Sequence, residues 1–161
     1  MSSRICVNRL RHEMKQLERG SAEGSGITLH PHLEEEDNIM HWTAVVEGVD
    51  DTAYAGGRWE IDIKVPPTYP NEPPKMKFVT RIFHPNIDWK TGAICLDVLE
   101  KAEWSPVWTL LNLCRALQML LDCPEPSSPL NCDAGNCLRA GDSRAYRSLV
   151  QLYISMYCKK E

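Results

Sequence analysis

The chain has 161 residues, of which 43% are hydrophobic and 25% charged, with a formal net charge of −4. That profile suits one soluble globular domain spanning 1–161, large enough to bury its own core. The acidic balance argues against nucleic acid as a partner. No apolar run approaches the ~18 residues of a membrane span, and the charged N-terminal stretch is not a secretory signal, so an intracellular protein is expected.

Residues 4–19 predict a helix. Ile5, Leu10, Met14 and Leu17 recur at roughly helical steps among charged residues, and Gly20 can end it. After a small, flexible 20–26 loop the period falls to two, which predicts strands at 27–33, 39–47, 58–65 and 75–78. Between the first two lies Glu34-Glu35-Glu36-Asp37, either a solvated turn or a partner-binding patch. Asp50-Asp51 and Gly56-Gly57 are turn residues between the middle pair. Short turns imply an antiparallel meander with the brief fourth strand beside it. The 66–74 stretch is too rich in proline for a central strand or a helix interior.

From 80 to 106 no period persists, and an irregular stretch of that length inside a compact domain is usually functional. A buried helix is predicted over 107–121, with Ser105-Pro106 as its start signal. Asp133 is the expected cap of a short helix reaching Arg139. Asp142 or Ser143 should cap a last helix ending near Cys158. The order is that of an α+β fold: N-terminal helix, four-stranded antiparallel meander, central helix, two C-terminal helices.

Seven cysteines, at 6, 95, 114, 123, 132, 137 and 158, contain no CxxC pair. This argues against zinc-ribbon and thioredoxin-type motifs, and neither a metal nor a cofactor is expected. Most of the seven should behave as small buried hydrophobes.

Four motifs set one cysteine apart. They are Tyr69-Pro70-Asn71-Glu72-Pro73-Pro74, His84-Pro85-Asn86, Gly92-Ala93-Ile94-Cys95-Leu96-Asp97 and Trp104-Ser105-Pro106. In this order they resemble the core of ubiquitin-conjugating enzymes. His41-Trp42 and Tyr54-Ala55-Gly56-Gly57 match as well, so the resemblance covers essentially the whole chain. It implies that ubiquitin passes from an activating enzyme to Cys95 as a thioester, through a thiolate that attacks and later leaves. The expected partners are ubiquitin, the ubiquitin-activating enzyme and RING-type ligases.

The resemblance gives Asn86 two possible tasks, stabilising the oxyanion or holding the active-site loop, and a neutral amide suits both. It implies that His84 orders the loop rather than acting as a base. Ser128 occupies a position where relatives often carry an acidic or serine residue. It offers no carboxylate base, so it either orients the nucleophile, acts as a gate or is a turn residue beside Pro129. Asp97 is expected to be structural. Pro70, Asn71, Trp104, Ser105 and Pro106 correspond to the family's ligase-contacting loops. Asn71 stands where many RING-dependent members have a large apolar residue, which suggests a restricted set of ligases. Trp104 is alternatively buried beside that loop. The stretches 84–92 and 100–103 are each one residue longer than is commonest in the family, one on either side of the cysteine.

Motifs of the second half, among them Ser128-Pro129-Leu130-Asn131 and Arg139-Ala140-Gly141-Asp142, are most similar to the family's peroxisomal branch. That branch works with the membrane-anchored peroxin-22 on the cytosolic face of peroxisomes and modifies the recycling import receptor. The last helix offers an apolar surface wider than one core stripe needs, including Tyr146, Tyr153 and Tyr157. These residues either bind the partner or cover the sheet. Competing readings are a conjugating enzyme for another pathway or a ubiquitin-like modifier, and a non-catalytic adaptor of the same fold.

Overall fold

A computed structural model describes residues 3–34 and 38–158. Residues 35–37 of the acidic cluster and the C-terminal residues 159–161 lie outside the described residues.

Helix α1 spans Arg4–Glu18, and Ser3 caps it by accepting from the Cys6 N–H through Oγ at 3.1 Å. Its buried positions are Cys6, Leu10 and Glu13, spaced by four and three. Ile5 falls one place off that stripe and is 69% exposed, contrary to the predicted apolar face. Strands β1 (Ile27–His32), β2 (Asn38–Glu47), β3 (Arg58–Lys64) and β4 (Lys75–Phe78) form the expected antiparallel meander, in the order β1-β2-β3-β4. One sheet face buries Trp42, Ala44, Val46, Trp59, Ile61 and Ile63. Helix α2 (Leu110–Asp122) packs on β1 and β2 and adds Leu113 and Leu117 to the core. Each fully buried aliphatic side chain contributes about 1.5–3 kcal/mol.

Two caps differ from expectation. α2 begins three residues later than Val107, because Thr109 Oγ1 accepts from the Asn112 N–H at 3.1 Å and residues 105–108 form a separate turn. Helix α3 spans Cys132–Arg139 and is capped by Asn131, whose Oδ1 accepts from the Ala134 N–H; Asp133 sits in its first turn instead. Helix α4 (Ser143–Tyr157) is capped by Asp142. A short 3₁₀ turn, Asp97–Leu99, follows Cys95 and had no sequence signal. Among the described residues no helix is long and apolar enough to cross a membrane.

Candidate active site

The segment His84-Pro85-Asn86 is buried and binds in three directions. His84 Nδ1 accepts from the Asn86 N–H at 3.0 Å, so Nε2 carries the proton and donates to the Leu120 carbonyl at 2.8 Å. Burial pushes this imidazole down to about 4, against the Leu120 carbonyl bond that raises it. The neutral ring, bonded at both nitrogens, ties the loop to the end of α2. The Pro85 carbonyl accepts from the Leu130 and Asn131 N–H groups at 2.8 and 3.1 Å. Asn86 Nδ2 donates to the Glu125 carbonyl at 2.7 Å, and the Glu125 N–H donates back to Oδ1 at 2.8 Å. The Asn86 carbonyl accepts from the Cys95 N–H at 2.8 Å. One tripeptide thus fixes α2, the 123–131 loop and the cysteine segment together.

Between Asn86 and Cys95 the lengthened stretch folds into a closed turn. Asp88 Oδ1 accepts from the Lys90 and Thr91 N–H groups at 2.9 and 2.8 Å. Bonds from Thr91, then from the Lys90 backbone, hold this carboxyl below its usual range. Gly92 has φ +73°, and a Cβ there would lie 1.9 Å from the Phe78 carbonyl oxygen, so only glycine fits. The close approach lets the Phe78 N–H donate to the Gly92 carbonyl at 2.9 Å, which docks the segment on β4. Ala93 then pairs with Lys77, and Ile94 with Ile87. Trp89 packs edge-on against Tyr153 and Tyr157, with ring centroids 4.7 and 5.4 Å away, and the Arg81 guanidinium lies 4.7 Å from its ring centroid.

Cys95 is exposed at the end of this braced segment. Burial pushes the Cys114 thiol up to about 12, and burial also raises the Cys6 and Cys158 thiols. Those three sulfurs are held as thiols, unsuited to nucleophilic attack. Cys123 and Cys132 are exposed too, Cys123 as the C-cap of α2 and Cys132 as the first residue of α3, and neither lies in the motif segment that Asn86 and β4 hold. Asp97 opens the 3₁₀ turn, its carbonyl accepting from the Glu100 N–H at 2.9 Å, and its side chain is exposed. Ser128 is exposed on the loop that Pro85 and Asn86 hold. Among the described residues no cluster of three or more metal-ligating side chains occurs.

The two loops expected to contact a ligase lie together. Trp104 is half-buried, and its Nε1–H donates to the Pro70 carbonyl at 2.7 Å. Asn71, Pro106 and Val107 are exposed, Val107 at 82%, while Pro70 and Ser105 are half-buried. Behind these loops sits Glu13, 6% exposed. Its carboxylate accepts from the Tyr69 hydroxyl, from Arg9 Nε at 2.8 Å and from the Leu110 N–H at 2.9 Å. Proximity to that carboxylate and, above all, burial push the Tyr69 hydroxyl well up.

The last helix requires a correction. Tyr146 is 6% exposed, and its hydroxyl shares a 2.6 Å hydrogen bond with Tyr54, so it belongs to the core and not to a binding surface. Tyr153 and Tyr157 are half-buried under Trp89. The exposed apolar residues of α4 are Leu152 and Met156, at 49% and 59%.

Sequence reasoning missed Glu13, Trp89 and Glu125. The 6, 10, 13 spacing of α1 carried a signal for Glu13. Nothing in the sequence announced that the backbone of Glu125 would pair with Asn86.

Comparison with known proteins agrees with this architecture. Residues 9–154 match the family model for ubiquitin-conjugating enzyme. The chain is 47% identical over 145 residues to protein peroxin-4 of Arabidopsis thaliana, covering 90% of each. It is 48% identical over 149 residues to the ubiquitin-conjugating enzyme E2 pex4 of Dictyostelium discoideum, covering 92% of this chain and 97% of that protein. Its fold is similar to the H. polymorpha ubiquitin-conjugating enzyme Pex4p, solved in complex with the soluble domain of Pex22p. The TM-score is 0.88 at 35% identity, covering 96% of this chain and 99% of that one.

Proposed function

The chain belongs to the ubiquitin-conjugating enzyme family, and we propose that Cys95 carries ubiquitin as a thioester and delivers it, with a RING-type ligase, to the peroxisomal import receptor. The chain is a ubiquitin-conjugating transferase. The observation that carries the assignment of Cys95 is its exposure on a segment held by Asn86, Phe78 and the Asp88–Gly92 turn.

In loading, the Cys95 thiolate attacks the thioester carbonyl on the activating enzyme. A carbon–sulfur bond forms to Cys95, and the activating enzyme's sulfur leaves as thiolate. In transfer, an acceptor amine attacks the new thioester. The carbon–nitrogen bond forms, Cys95 departs as thiolate, and the amine proton passes to solvent or to the departing sulfur. A cysteine acceptor would follow the same course with sulfur in place of nitrogen. Asn86 acts here as a positioning residue: its amide is clasped to Glu125, which sets the 123–131 loop beside the thiol segment. His84 supports it as a neutral brace. Trp104, Pro70, Asn71, Ser105 and Pro106 form the ligase face.

The peroxisomal setting rests on likeness to peroxin-4 proteins and to Pex4p, whose solved complex includes Pex22p. By that likeness the chain is recruited to the cytosolic face of peroxisomes by a peroxin-22 anchor. We assign the anchor to α4, where Leu152 and Met156 are exposed beside Tyr153 and Tyr157.

The deciding experiment incubates the protein with activating enzyme, ATP and ubiquitin, and in parallel with other modifiers. A reducible ubiquitin adduct is expected, absent in Cys95→Ala. Cys95→Ser should give a longer-lived ester, because an alkoxide leaves less readily than a thiolate. An adduct persisting in Cys95→Ala would overturn the assignment, and loading by another modifier instead would redirect it.

A further inference from the structure

Residues 86–88 and 93–95 pair antiparallel into a short ribbon. The Cys95 N–H donates to the Asn86 carbonyl at 2.8 Å, Ile94 faces Ile87, and the Asp88 N–H donates to the Ala93 carbonyl at 2.8 Å. Cys95 stands at the foot of this ribbon, and Trp89 opens the turn at its tip. At about 3.4 Å per residue, the Asn86–Cys95 pair lies about 7 Å from the Asp88–Ala93 pair. A two-stranded ribbon of this size has little stability of its own. Where the thiol stands therefore depends on what holds the ribbon from outside, and Cys95, being exposed, follows its backbone.

One support is β4, through Gly92 and Ala93. The other is α4. Among the turn residues, Lys90 and Thr91 are exposed and Gly92 has no side chain, which leaves the half-buried indole of Trp89 to anchor the tip. It meets the rings of Tyr153 and Tyr157 edge-on, at interplanar angles of 67° and 69°. The Arg81 guanidinium lies 4.7 Å from the Trp89 centroid and 5.9 Å from that of Tyr157, joining the two rings. Contacts of fixed geometry converge on one indole and restrain its angle as well as its depth. Tyr153 also packs on Phe83, 5.2 Å away between centroids, the residue just before His84. Helix α4 thus grips the chain on both sides of the 84–88 segment.

We propose that Trp89 is a positioning residue for the Cys95 thioester: held by Tyr153, Tyr157 and Arg81, it fixes the tilt of the ribbon and so sets where the thioester carbonyl stands beside the 123–131 loop. The proposal rests on Cys95 as the ubiquitin carrier. Transfer between bound groups is sensitive to displacements of about 1 Å, so release of the tip acts on the rate of attack rather than on acceptor binding.

The test measures discharge of the loaded protein to free lysine in single turnovers. Trp89→Leu should lower the maximal rate by about tenfold to hundredfold and change KM for lysine by less than about twofold. Trp89→Phe, which keeps an aromatic edge contact, should retain most of the rate. Tyr153→Leu should reproduce the defect from the other side, and adding it to Trp89→Leu should cost little more. Val46→Ala, a core change in β2, controls for lost stability: it should lower the melting temperature without slowing discharge. In unloaded protein, hydrogen exchange at the Cys95 amide should rise in Trp89→Leu, which reads the brace apart from the chemistry. Full discharge by Trp89→Leu, failure of Trp89→Phe to rescue, or unchanged Cys95 exchange would each overturn the proposal. Absence of a ubiquitin adduct on the unaltered protein would count against Cys95 as the carrier, whereas a Trp89→Leu adduct that discharges at full rate would count against Trp89 alone.

Discussion

The side-chain amide of Asn86 pairs with both backbone polar groups of Glu125, donating to its carbonyl at 2.7 Å and accepting from its N–H at 2.8 Å. It thus acts as a strand partner for a single residue of a loop that has no strand of its own. Asn86→Ala removes two hydrogen bonds at a part-buried site, which should cost roughly 0.5–1.5 kcal/mol of stability each. We expect discharge of the thioester to slow more than its formation, because acceptors approach beside the freed loop. Single-turnover loading and discharge, measured separately, check this, and equal slowing of both steps would remove Asn86 from the transfer step.

Burial holds His84 neutral, with its imidazole pushed down to about 4 from the usual 6.5. Between those values the unfolded chain binds a proton that the folded chain does not. The stability tied to the neutral ring is therefore full above about pH 6.5 and is lost as the pH falls toward 4, by up to about 1.4 kcal/mol per unit. Denaturant melts at several pH values should show this slope. His84→Gln should be less stable at pH 7 but shallower across the window.

Gly92→Ala places a methyl group against the Phe78 carbonyl and forces a side chain into a left-handed backbone. A loss of about 1–3 kcal/mol is expected from backbone strain alone, with the clash adding to it. Because the same contact docks the Cys95 segment on β4, thioester loading should fall along with the melting temperature. A fully active, destabilised variant would show that the segment does not depend on this anchor.

On α4, Leu152→Asp and Met156→Asp replace exposed apolar side chains without touching the core. Both should abolish binding of a soluble peroxin-22 domain, read by calorimetry, while loading of Cys95 continues. Unchanged affinity in both variants would move the anchor site elsewhere.

The strands were legible because the sheet buries a single face: Trp42, Ala44 and Val46 alternate with exposed or half-exposed neighbours, and alternation is visible in a sequence. Helix starts were less so. Asn131 and Asp133 are both good caps two residues apart, and only backbone geometry chooses between them. Cys95 was legible through its motif. The Asn86–Glu125 clasp was not, since it joins residues 39 apart whose spacing follows no period. The breadth of the apolar face on α4 was overestimated for a related reason. The sequence shows a helix face, but not that Trp89, from a turn of another region, will lie across Tyr153 and Tyr157.

Glu13 carries the remaining lesson. One buried carboxylate joins α1 to Tyr69 and to the first turn of α2, while Trp104 is fastened to Pro70. The helix and both loops are therefore fastened to one another. Proteins that dock on them meet a surface whose parts are joined, and a substitution at residue 13 would register at loops more than fifty residues away along the chain.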